Sequence, residues 1–304
     1  MEKKSILFMG TPEFAVKSLE CLVNNNHNLI GVITALDKER GRGRKIKFSP
    51  VKDYALKKEI PLFQPKNLKD QNFIDKIKNL NADLFVVVAF RMLPKEIINL
   101  PRLGCINLHA SLLPEYRGAA PINWVIINGE KETGVTTFYI NSKIDEGDII
   151  DSKTIKIEND ENAGSLHDKL MTTGSQLVLK SVENIFNGNL KKKKQKISKS
   201  DKLAPKISKD ICIINLDESA DNIVRLVNGL SPYPGARIIF KNKNYKILKA
   251  IKSNTYHNNR KQMFEIDNKI ILNNNLGESI DVLMIQVEGK KVMSSSDFIR
   301  GNKI

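Results

Sequence analysis

The chain has 304 residues, with 49 Lys and Arg against 34 Asp and Glu, for a formal charge of +15 at pH 7. That length accommodates two domains, and an apolar content of 41% is ordinary for a globular protein. No apolar run approaches the roughly 20 residues of a membrane helix, and Glu13 and Lys17 follow the short apolar run 6–9 too soon for a signal peptide.

Strand-like and helix-like segments alternate through the first two-thirds. Residues 5–9 read as an apolar strand, 11–24 as a helix with Phe14, Leu19 and Leu22 inward, and 29–34 as a second strand. Ser49-Pro50 reads as an N-cap with proline in the first helical position, opening a helix toward Lys58. A short strand at 61–64 and a helix at 73–80 follow. Residues 84–90 are almost continuously apolar, the pattern of a strand buried on both faces of a parallel sheet. A short helix at 94–99, a strand at 104–109, a helix at 122–128, strands at 135–140 and 149–157 and a long helix at 166–186 complete the series. This order predicts an α/β fold with an open, doubly wound, mostly parallel sheet. Such sheets bind ligands beyond the carboxyl ends of their strands, where Phe90 and His109 fall.

The next segment is different. Lys191-Lys192-Lys193-Lys194 continues through Lys196, Lys199, Lys202, Lys206 and Lys209 with little acidic balance. It reads as a basic linker at 190–209 between a first domain, 1–189, and a second, 210–304. The second holds an amphipathic stretch at 220–230, the turn-rich Ser231-Pro232-Tyr233-Pro234-Gly235, and short strands at 237–240, 245–250, 269–272 and 280–287. These predict a small β-barrel of the oligonucleotide-binding type. Biased Lys, Asn and Ile usage explains part of the net charge; its concentration in two segments points to a polyanion, most directly nucleic acid.

Chemistry concentrates at Asn107-Leu108-His109-Ala110-Ser111-Leu112-Leu113-Pro114, which runs into Arg117-Gly118-Ala119-Ala120-Pro121. Asn107 and His109 are two apart at a strand end, so they share a face. An amide donor beside an imidazole can stabilise a developing oxyanion and manage a proton, which indicates group transfer at a carbonyl carbon. Ile144-Asp145-Glu146-Gly147-Asp148-Ile149 supplies a carboxylate to orient His109, from Asp145 or Asp148; an ordinary Asp-Gly turn is the plainer reading. Arg40-Gly41-Arg42-Gly43-Arg44-Lys45 interrupts a strand-to-helix connection beside that edge and suits phosphate. Gly10-Thr11-Pro12 lacks the dinucleotide spacing, so Gly10 reads as a tight turn. Ser111 is outside any nucleophile elbow, and Cys105 reads as core. The three cysteines form no CxxC, and the four histidines do not cluster near them; this fits a reducing cytoplasm and no metal.

With these residues in view, the chain resembles the methionyl-tRNA formyltransferase family over its whole length. Phe8-Met9-Gly10-Thr11-Pro12-Glu13-Phe14-Ala15 is similar to the family's amino-terminal signature, 107–121 to its catalytic block, and 144–149 to its Asp-x-Gly-Asp segment. Leu230-Ser231-Pro232-Tyr233-Pro234-Gly235-Ala236 resembles the entry into its carboxyl-terminal domain. Arg91 departs from it, standing where many relatives have glycine. The resemblance implies 10-formyltetrahydrofolate as donor and initiator methionyl-tRNA as acceptor; the cysteine usage predicts a cytoplasmic enzyme, and a monomer is expected because tRNA itself would bury the basic face. It implies Asn107, His109 and Asp145 as catalytic residues. Ser111, Leu112, Leu113 and Pro114, with Phe90 nearby, would line the folate pocket, and Arg40, Arg42, Arg44 and Lys45 would contact tRNA. Two rivals stand beside it: a folate-dependent formyltransferase acting on an amino sugar or ribonucleotide, and a non-catalytic nucleic-acid-binding protein on the same fold.

Overall fold

All five residues of the strand Leu84–Val88 are buried, so both faces of the sheet around it must be covered. In the computed structural model, which describes residues 3–40, 45–190, 192–257, 259 and 261–302 and only the backbone at 39, 40, 45 and 46, this strand is the fourth of seven. Their order is Ile149–Lys156, Glu132–Tyr139, Cys105–His109, Leu84–Val88, Ser5–Gly10, Asn28–Ile33, Leu62–Phe63. The last five run parallel, and Glu132–Tyr139 is antiparallel to Cys105–His109. The sheet is mostly parallel, as the alternation of elements predicts.

The chain divides into two compact units. One comprises Met1–Gly118, Thr133–Ile155 and Asp168–Leu203; the other comprises Ala119–Glu132, Lys156–His167 and Ala204–Ile304. In the first, one face of the sheet contributes Leu7, Met9, Ile33, Phe85, Val87 and Cys105 to a cluster closed by Ile74, Ile77 and Ile97. Each such side chain stabilises the fold by about 1.5–3 kcal/mol relative to exposure. Helix Glu13–Asn24 buries Phe14, Ala15, Ser18, Leu19 and Leu22, one stripe at helical spacing. Gly10 makes the tight approach its position implies: a Cβ there would lie 2.6 Å from that of Ala15 and 3.0 Å from the Val88 carbonyl oxygen. Helix Pro50–Lys57 begins as expected, with Ser49 Oγ accepting from Lys52 N at 3.0 Å and Pro50 at the first position.

Several boundaries differ from expectation. The apolar run 84–90 leaves the ladder at Val88, because Ala89 takes a positive φ of 47° and turns the chain out of the sheet. The segment before Ser49, expected as an interrupting loop, contains an antiparallel pair, Lys38–Arg40 with Lys45–Lys47, in which Arg40 faces Lys45. Local pairing satisfies backbone groups that a loop would leave to water. Two short elements carry too weak a pattern to be read: the strand Met263–Ile266 and the helix Ser295–Gly301.

The second unit is built on an antiparallel, curled sheet ordered Ala236–Phe240, Lys243–Lys252, Ser279–Val287, Lys269–Asn273, Met263–Ile266, with Met293–Ser294 added beside Ser279–Val287. Helix Ala220–Leu230 lays Ala220, Ile223, Val227 and Leu230 onto a core with Ile238, Ile247, Ile270, Val282 and Phe298. Among the described residues no helix is long and apolar enough to cross a membrane.

Candidate active site

The strand Cys105–His109 ends at the carboxyl edge of the parallel sheet. Pairing sets Asn107 opposite Phe138 and His109 opposite Thr136, so the two polar side chains share a face as their spacing requires. His109 is buried and Asn107 half-buried. Among the described residues the Asn107 amide has no hydrogen-bond partner, which leaves a donor free for a ligand.

The imidazole sits between two oxygens. His109 Nε2 donates to the Tyr116 carbonyl at 2.9 Å, and Nδ1 lies 3.8 Å from Asp145 Oδ2. That second distance is too long for a hydrogen bond and makes an ion pair only when the ring is protonated. The carboxylate is held instead by Gly118 N, which donates to Oδ2 at 3.0 Å. Of the two aspartates the sequence leaves open, Asp145 is brought to His109. Asp148 spends its carbonyl on Tyr139 N at 2.9 Å.

Two segments around this pair hold each other. Ser111 Oγ donates to the Glu115 carbonyl at 2.6 Å, Thr136 Oγ1 donates to the Ser111 carbonyl at 2.7 Å, and Leu113 N donates back to Thr136 Oγ1 at 3.2 Å. The Ser111 hydroxyl is thus spent on its own loop, in keeping with its poor standing as a nucleophile. Leu112 and Pro114 are half-buried and Leu113 is buried. Phe90 is half-buried against the sheet cluster, and the Arg91 guanidinium lies 5.7 Å from its ring centroid while donating to the Pro65 and Lys66 carbonyls at 2.5 and 3.2 Å. Arg91 is thus a prop for this strand end.

Four contributors are not singled out by sequence reasoning. The Tyr116 carbonyl and Gly118 amide are backbone groups and leave no side-chain signal. Arg117 bridges Glu146 at 3.6 Å and Asp201 at 3.2 Å. Gln195 donates to the Asp145 and Gly147 carbonyls, each at 2.8 Å; its one trace is that it is the uncharged side chain within a lysine run. Arg42 and Arg44 lie outside the described residues, and of Arg40 and Lys45 the backbone pairing alone is described. Among the described residues no group of three or more His, Cys, Asp or Glu is placed to hold a metal ion.

A family model described as Formyl transferase matches residues 3–182, and one described as Formyl transferase, C-terminal domain, matches residues 206–303. The chain is 48% identical to the methionyl-tRNA formyltransferase of Flavobacterium johnsoniae, covering 99% of this chain and 97% of that one. It is 43% identical to that of Bacteroides fragilis, over 99% and 95%. Among solved structures, the sugar 3N-formyl transferase WlaRD, crystallised with dTDP and 5-N-formyl-THF, superposes with a TM-score of 0.69 at 23% identity, covering 96% of this chain and all of that one. HypX from Aquifex aeolicus in complex with tetrahydrofolic acid gives 0.68 at 17% identity over 98% of this chain and 47% of that one. At such identities the two structures share the fold.

Proposed function

The chain belongs to the methionyl-tRNA formyltransferase family, and from that premise we propose that it transfers the formyl group of 10-formyltetrahydrofolate to the α-amino group of initiator methionyl-tRNA, for translation initiation. The observation that carries the chemistry is the Asn107 amide, without a hydrogen-bond partner among the described residues, on the same strand face as His109, with Asp145 Oδ2 3.8 Å from the ring nitrogen.

In this reading the amine nitrogen attacks the formyl carbon and the carbonyl oxygen becomes an oxyanion. Asn107 donates to it, and His109, whose Nε2 is committed to the Tyr116 carbonyl, donates from Nδ1 in its protonated form. Preorganised donors of this kind stabilise charge as it develops, without reorganising at the moment of reaction. Asp145 keeps His109 in register and helps carry the proton from the attacking amine to the departing folate nitrogen, directly or through water. The one-carbon unit is the co-substrate's, so the residues supply orientation and electrostatics and no metal enters the scheme. Ser111, Leu112, Leu113, Pro114 and Phe90 border the folate pocket.

The acceptor is bound by charge. Arg40, Arg42, Arg44 and Lys45 contact the tRNA, joined by the basic linker 190–209 and by the domain 210–304, whose sheet we read as a barrel of the oligonucleotide-binding type. Residues 1–189 carry the catalysis. The enzyme works as a monomer in the cytoplasm. The direct test is formyl-methionine formation from 10-formyltetrahydrofolate and charged initiator tRNA, set against uncharged and elongator tRNA and against amino-sugar and ribonucleotide amines. Selective formylation of the initiator supports the reading; turnover on a sugar or nucleotide amine and none on charged tRNA overturns it.

A further inference from the structure

The turn carrying Asp145 is conformationally costly. Asp145 is a non-glycine residue at φ 53°, in the left-handed region, and such a backbone persists only where its surroundings over-determine it. Gly118 N and Arg117 reach the side chains of Asp145 and Glu146, and neither holds the turn's carbonyls. Gln195 does: Nε2 donates to the Asp145 and Gly147 carbonyls, which flank Glu146, at 2.8 Å each. Both amide hydrogens are committed. Oε1 is buried with no partner among the described residues, and a flipped amide would set that oxygen against two carbonyl oxygens, so the donors fix the orientation.

Gln195 is itself anchored. Two residues earlier, Lys193 exchanges both backbone hydrogen bonds with Ile149, at 2.8 and 3.0 Å. Farther along, Lys202 N donates to Glu115 Oε2 at 2.8 Å, and Tyr116 N donates to the Lys202 carbonyl at 2.6 Å. Tyr116 is the residue whose carbonyl receives His109 Nε2. One basic segment therefore ties down both the turn bearing the carboxylate and the loop bearing the imidazole's acceptor, while Lys192, Lys194 and Lys196 stay exposed along it.

We propose that Gln195 is a positioning residue for Asp145: it clamps the 145–147 turn so that the carboxylate stays beside His109, which makes the lysine-rich segment part of the catalytic apparatus as well as a charged surface. This rests on the reading of Asp145 above. Gln195→Met keeps the volume and removes both donors. It should lower kcat about 10- to 100-fold, the order expected when a reacting group is misplaced by about an ångström, and leave KM for folate and for acceptor within about twofold. In an Asp145→Asn background the same change should cost less than about twofold, because coupled residues are non-additive. Gln195→Glu, which keeps the length and loses both donors, serves the same cycle if the Met variant fails to fold by thermal melting. Full kcat in the single variant, or an undiminished further loss in the Asp145→Asn background, overturns the clamp and leaves Asp145 standing. A near-normal rate in Asp145→Asn alone overturns the reading of Asp145, and the clamp with it.

Discussion

A β-carbon at Gly147 would lie 1.5 Å from the Tyr139 carbonyl oxygen, so the turn bearing Asp145 closes against the strand Glu132–Tyr139 with no space for any side chain. Gly147→Ala must push the turn away and carry the Asp145 carboxylate with it. We expect kcat to fall about 100-fold, with circular dichroism and bound-folate signals retained. A variant that folds and turns over near the wild-type rate would show that the turn relaxes without moving the carboxylate.

In the proposed mechanism Asn107 and His109 act on the transition state rather than in ground-state binding. Asn107→Ala and His109→Ala should each lower kcat by about 100- to 1000-fold with little change in folate affinity, measured by titration beside single-turnover rates. Loss of affinity at unchanged kcat would move them from catalysis to binding.

Neutralising Arg42 and Arg44 together should weaken tRNA and spare folate. Each phosphate contact removed should flatten the dependence of log affinity on log salt by roughly 0.7–0.9. Equal losses toward both substrates would indicate damaged folding and would argue against a phosphate role.

Ser49 bonds Lys52 N and, at 2.8 Å, the buried Thr34 hydroxyl. It therefore caps a helix and ties that helix to the end of the neighbouring strand. Ser49→Ala should destabilise the protein by about 0.5–2 kcal/mol in urea. A change below that range would mean that water replaces both bonds.

Glu278 caps the helix Ala220–Leu230 from a loop more than fifty residues away: it accepts from Ala220 N at 2.7 Å and Asn274 Nδ2 at 2.9 Å and pairs with Lys252 at 2.9 Å. The Ala220 amide foremost, then Lys252 and Asn274, hold its carboxyl down from 4.5 to about 2. A depressed carboxyl stabilises the fold above its unfolded value, and that contribution disappears as pH falls through the folded one. The melting temperature should therefore drop between about pH 4.5 and 2, and Glu278→Gln should be less stable at neutral pH and flatter across that window. Parallel curves for the two proteins would assign the acid sensitivity elsewhere.

How much of this was legible beforehand depended on range. Helix Ala220–Leu230, the Ser49–Pro50 start and the Asn107–His109 pairing follow from periods and caps that act within a few residues. The run 84–90 misled because hydrophobicity does not register the positive φ of Ala89, which is a backbone event. The pair Lys38–Arg40 with Lys45–Lys47 is obscured because Lys38, Glu39 and Arg40 are all charged and three residues are too few for an alternation to register.

The sequence by itself determined the alternating α/β order, the shared face of Asn107 and His109, the two basic segments and the family resemblance, because each is written in neighbouring residues. The residues themselves leave Asp145 and Asp148 open and the resemblance points to Asp145; tertiary structure brings Asp145 beside His109, and it alone decided that the Tyr116 carbonyl and Gly118 amide complete the pair and that Gln195 closes the turn from fifty residues away. Those choices depend on which loops meet at the sheet edge. Backbone carbonyls and amides look alike at every position in a sequence, and packing selects the few that become partners.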